Sequence, residues 1–129
     1  KDKNFDAWPK KVGGKVVKDL KIVKVVSVVL VGDKKIRELN RQYRKKNKVT
    51  DVLSFGDWQN PAFLGEIVIS LPQIKRQAKE YGGGIKQELA RILIHGLLHL
   101  TGLNHEESKS EERRMFKKQD ALVKKYATN

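Results

Sequence analysis

The sequence predicts one domain that alternates helices with strands, and three observations carry that expectation. Its 129 residues are 39% hydrophobic, enough for a single core, and no repeat, low-complexity stretch or linker divides residues 1–129. Helix-periodic apolar stripes alternate along the chain with short β-branched runs. The longest apolar run, Leu89 to Leu100, is broken by Arg91 and holds two histidines, so it reads as a buried core helix rather than a membrane span.

In chain order, Val12–Leu20 reads as a short helix whose start Gly13 and Gly14 weaken. Ile22–Val31 is valine-rich and nearly continuous, the pattern of a strand covered on both faces. Asp33 is placed to cap a helix running to about Lys46, with Ile36, Leu39 and Tyr43 as its buried stripe. Val52–Phe55 and Glu66–Ser70 read as two short strands, separated by a Gly/Asn/Pro loop that carries Trp58 and Phe63. Ser70 with Pro72 opens a helix to about Tyr81, which Gly82-Gly83-Gly84 ends. Ile85–Thr101 is the predicted central helix, polar only in its first turns at Lys86, Gln87, Glu88 and Arg91. Ser108–Tyr126 closes the chain as a helix opened by a capping box of Ser108 with Glu111. It is expected to turn Met115, Phe116, Leu122, Val123 and Tyr126 inward.

All three histidines fall in one window, His95-Gly96-Leu97-Leu98-His99-Leu100-Thr101-Gly102-Leu103-Asn104-His105. On a helix, residues four apart share a face, so His95 and His99 can aim two imidazoles at one ion, held at about 2.0–2.1 Å if it is zinc. Gly102 accepts the left-handed backbone that ends a helix and lets His105 turn back as a third ligand. Three histidines dropped at random would take this spacing in on the order of a few arrangements in ten thousand. Three ligands and an open position is the catalytic zinc arrangement. A carboxylate such as Glu106, Glu107 or Asp51 could instead close a structural site. Zinc peptidases carry a glutamate general base directly after the first histidine; here that position is Gly96, which argues against peptide hydrolysis.

Charge points to the partner. With 28 Lys and Arg against 15 Asp and Glu the net charge is +13, which suits a polyanion such as nucleic acid. Arg37, Arg41, Arg44 and Lys48 recur at spacings of four, three and four, a basic face that would track phosphates. No secretory signal is legible, and the absence of cysteine suits a reducing compartment. The chain opens on Lys1 rather than methionine, so a few preceding residues are expected to be missing.

Leu39-Asn40-Arg41-Gln42-Tyr43-Arg44, Thr50-Asp51-Val52-Leu53-Ser54-Phe55, Leu64-Gly65-Glu66-Ile67-Val68-Ile69 and His95 through His105 stand in an order and spacing that resembles the YbeY family from about residue 22 onward. The resemblance implies a compact α+β domain, a roughly four-stranded sheet packed with helices around a central metal-bearing helix, distantly like zinc peptidases. It implies a cytoplasmic metal-dependent endoribonuclease acting on single-stranded ribosomal RNA, in rRNA maturation and ribosome quality control, with ribosomal proteins as possible partners and no membrane. By position, His95, His99 and His105 match the family's zinc ligands and Arg44 its functionally important arginine. Two positions depart from the family pattern: Asn104 stands where aspartate is usual, and Glu66 where the edge strand usually has aspartate.

An RNA phosphodiester must be held, its charge neutralised and a nucleophile aligned. A three-histidine zinc could bind a phosphoryl oxygen or supply hydroxide, while Arg44 clamps the phosphate and Arg37 and Arg41 follow its neighbours. Asp51, Glu66 and Glu106 are the candidate bases. The alternatives are a metal-stabilised RNA-binding assembly protein without catalysis, and a metallopeptidase-like hydrolase.

Overall fold

The computed structural model describes residues 12–57, 59–102 and 109–126. Helix α1 covers residues 12–19, with Val12 and Val16, one turn apart, turned into the core. Strand β1 (Val25–Val31) leads to α2 (Asp33–Arg44), and β2 (Val52–Gly56) to β3 (Phe63–Ser70). Helices α3 (Leu71–Tyr81), α4 (Ile85–Leu100) and α5 (Lys109–Tyr126) follow. The sheet order is β1-β3-β2, with β1 parallel and β2 antiparallel to β3. The architecture is α+β, as expected, although the described residues hold three strands where the resemblance implied roughly four.

Period-2 alternation along β3 serves two faces at once. Ile67 and Ile69 join Leu89, Leu93, Leu97 and Met115 in the main core, built around α4. Val68, on the opposite face, packs with Ile36 of α2 and Leu53 of β2. The strand covered on both faces is therefore β3. The expectation that Ile22–Val31 would be doubly covered is corrected: β1 begins only at Val25, lies at the sheet edge among the described residues, and leaves Val25 65% exposed. A run of valines reports preference for extended backbone, and an edge strand satisfies that preference as well as a central one. A mostly apolar recess of about 720 Å³ lies between α1 and β1.

The helix punctuation of α3 agrees with the sequence. Ser70 Oγ accepts from the Gln73 N–H at 3.3 Å, and Gly82 ends the helix at φ 81°. Asp33 does not cap its own helix. Gly32 occupies the N-cap, and the Asp33 carboxylate instead accepts from Arg76 Nη2 at 2.8 Å and Ser70 Oγ at 3.1 Å, tying α2 to α3. The Arg76 hydrogen bond, above all, holds that carboxyl below its usual range. Phe116, read as inward, is 39% exposed, whereas Gln119 in the same helix is buried.

Asp19 joins the two chain-distant helices α1 and α5, accepting from Tyr126 Oη at 2.7 Å and Lys125 Nζ at 3.0 Å. The tyrosine hydroxyl first, and then the lysine, lowers its pKa. A depressed carboxylate stabilises the fold above its unfolded pKa of about 4 and loses that contribution as pH falls through the folded value. Tyr126→Phe should therefore lower Tm slightly at neutral pH, by about 2 °C or less. The gap to wild type should close on acidification, and thermal melts across pH check it.

No helix of the described residues is long and apolar enough to cross a membrane.

Candidate active-site cleft

From Glu88 to Leu100, α4 is buried except at Arg91, His95 and His99, which follow one another four residues apart. This single open stripe results from a helix whose other faces are apolar apart from the buried Glu88. His95 and His99 form part of the wall of a cleft of about 550 Å³, with Tyr43 and Arg44 from the end of α2 and Thr50 to Phe55 leading into and along β2. The two imidazole rings lie 4.7 Å apart between centroids, at 64° to each other. Two imidazoles one helical turn apart on one face are a donor set whose chemistry fits zinc. Among the described residues no group of three His, Cys, Asp or Glu is gathered closely enough to hold an ion. His105, Asn104, Glu106 and Glu107 lie outside the described residues, as do Trp58 and the Ser108 of the expected capping box. Gly102 does adopt the left-handed backbone, at φ 97°, and its N–H donates to the His99 carbonyl at 3.0 Å.

Gly96 lies against the sheet. A Cβ at that position would stand 3.1 Å from both Ile67 Cδ1 and Ile67 Cγ2, tight contact before any longer side chain is added. The position that holds the general base in zinc peptidases therefore points here into the core between α4 and β3.

The segment 39–44 divides its work among its residues. Asn40 is buried, and its Nδ2 donates to the Lys48 carbonyl at 3.0 Å, holding the loop that returns the chain to the cleft. Asn40 Oδ1 has no partner among the described residues. Lys45 ends the helix in left-handed backbone at φ 61°, its N–H donating to the Arg41 carbonyl at 3.2 Å and the Lys46 N–H to the Asn40 carbonyl at 3.3 Å. Tyr43, expected in the buried stripe, is 59% exposed, and its ring meets Phe55 edge-on at 5.1 Å. The stripe drifts around the helix axis, so that by the last turn Tyr43 stands at the cleft rim.

The basic face is divided as well. Arg44 joins the histidines in the cleft, but Arg37 and Arg41 line a separate depression of about 440 Å³ with Asp33, Glu38 and Asn47. Arg37 Nε donates to Asn47 Oδ1 at 2.9 Å. Of the candidate bases, Asp51 lines the cleft. Glu66 alternates with Val68 onto the α2 face and is not part of the cleft wall. Arg91, on the histidine stripe, is paired with the buried Glu88, which also accepts from Gln77 Nε2 at 2.7 Å. The Glu88 hydrogen bond, with smaller contributions from the charges of Glu88, Asp51 and Tyr81, raises the Arg91 pKa.

Sequence reasoning passed over Gln119, whose Oε1 lies 2.7 Å from His95 Nδ1. The signal was a polar residue inside the inward stripe of α5 between Met115 and Leu122.

The chain is 48% identical over 103 residues to a Thermodesulfovibrio yellowstonii protein named endoribonuclease YbeY, covering 77% of this chain and 65% of that relative. A Persephonella marina protein of the same name is 46% identical over 114 residues, covering 84% of this chain and 74% of its own length. The chain thus spans less than two thirds of the first relative. A solution structure from Thermotoga maritima superposes with a TM-score of 0.68 at 33% identity, over 95% of this chain and 83% of that one. The family model described as endoribonuclease YbeY matches residues 1–127, and on that match, together with these relatives, the chain belongs to the YbeY family.

Proposed function

We propose that this chain is a zinc-dependent endoribonuclease that cuts unpaired RNA in the cleft between α2, β2 and α4. Its substrate would be ribosomal RNA or its precursors, particularly of the small subunit, in the cytoplasm, and its task rRNA maturation and ribosome quality control. The observation that carries this reading is the meeting of His95, His99 and Arg44 in one cleft, on a chain of net charge +13. The names of the relatives support the same activity.

His95, His99 and His105 are the proposed holders of the ion. Bound zinc supplies Lewis acidity toward a phosphoryl oxygen. Arg44 pairs two oxygens of the phosphate with its planar guanidinium and fixes its orientation. Asp51, the carboxylate in the cleft, is the candidate to take a proton from the attacking hydroxyl. Tyr43 offers an exposed ring at the rim, on which an unpaired base can stack and a paired one cannot. Arg37 and Arg41, in their own depression, belong to the longer phosphate track.

Metal-loaded protein should cut an unstructured RNA and rRNA precursors, and His99→Ala should abolish cleavage while circular dichroism stays native. RNA affinity should fall steeply with added salt. A non-catalytic assembly role would show instead as RNA binding that persists without turnover, with chelation lowering only Tm. A peptidase reading is disfavoured by the core-facing Gly96.

A further inference from the structure

Helix α5 inserts one amide into an otherwise apolar stripe. Its buried residues are Met115, Gln119 and Leu122, and Gln119 is 2% exposed. Gln119 Oε1 lies 2.7 Å from His95 Nδ1, joining α5 to α4 across 24 positions of sequence. An amide oxygen only accepts, so this contact is a hydrogen bond when the ring nitrogen facing it carries the proton. A neutral imidazole protonated on Nδ1 has its lone pair on Nε2, and that nitrogen is then the one able to bind a cation.

We propose that Gln119 is a positioning residue for His95: it selects the Nδ1–H tautomer and fixes the ring plane, so that Nε2 is the donor presented to a divalent cation in the cleft. The inference rests on the metal reading of the cleft, but the tautomer exists with or without the ion. Phe116, one turn earlier on α5, has its ring 6.3 Å from the His95 ring at a 31° tilt, so the same helix sets both an aromatic ring and a hydrogen-bond acceptor beside the imidazole. An apolar residue at 119 would fill the stripe between Met115 and Leu122 equally well. What it would lack is an acceptor for the ring.

Gln119→Met removes the acceptor at similar length, and Gln119→Glu retains one. Nitrogen-15 NMR of metal-free protein at mildly alkaline pH should show His95 protonated on Nδ1 in wild type and Gln119→Glu, and shifted toward Nε2–H in Gln119→Met. In chelator competition, zinc affinity should fall about 10–100-fold in Gln119→Met and recover in Gln119→Glu. An Nε2–H tautomer in wild type overturns the proposal, as does Gln119→Met with wild-type affinity. If Gln119→Met fails to fold, the wild-type tautomer and the behaviour of Gln119→Glu still decide. A wild-type Nδ1–H tautomer that Gln119→Met loses, in a protein that binds no zinc, supports the positioning and overturns the metal reading instead.

Discussion

Gly96→Glu is expected to remove much of the stability of the fold and to melt far below wild type. The glutamate side chain would enter the seam between α4 and β3, where even a methyl group meets Ile67 at 3.1 Å. Overpacking a tight seam costs about 1–3 kcal/mol. Desolvating a carboxylate with no cation in the seam adds several kcal/mol, against a typical domain stability of about 5–15 kcal/mol. The result bears on function as well as stability, because this substitution would restore the peptidase pattern in sequence. Thermal melts would measure the loss, and a folded variant with peptidase activity would show that the residue faces the cleft.

Arg44→Glu should cut activity steeply with the fold preserved. Arg44 lines the cleft beside the histidines, so on the proposed reading reversing its charge would remove a phosphate clamp and set a carboxylate against the substrate. Removing one well-placed donor to a developing oxyanion costs about 10²–10³ in rate, and charge reversal should exceed that. Arg41→Glu is the contrasting case. It lies in the neighbouring depression and should weaken RNA binding, reducing the salt slope by about one, with turnover at saturating RNA little changed. Equal loss of turnover from both variants would mean that the two recesses act as one site.

Elements and punctuation were legible in the sequence wherever a local rule decided them. Ser70 and Gly82 mark the ends of α3, Gly102 takes the left-handed turn it was expected to take, and the histidine pair shares one open stripe. The parts that could not be read depend on partners distant in sequence. Asp33 carries every sign of an N-cap, yet its carboxylate goes to Arg76, 43 residues on. Tyr43 continues an apolar stripe, but the core beneath α2 ends at Ile36 and Leu39, so its ring leans on Phe55 at the surface. Arg37, Arg41 and Arg44 form one series in the sequence, and only the path of the loop after Lys45 separates the last from the others. Gln119 has meaning only once α5 is laid against His95.

The placement of β1 has a colloidal consequence. Val25–Val31 contains no charge and no proline, the residues that usually blunt a sheet margin against self-templating, and among the described residues its outer side carries no further strand. Mutual repulsion between copies, from a net charge of +13, is then expected to oppose the zipping together of such margins. At about 0.1 M salt that repulsion is screened beyond roughly 10 Å, and a bound polyanion cancels it outright. Precipitation should therefore be worst near charge neutralisation by RNA, while RNA-free protein in low-salt buffer should stay dispersed.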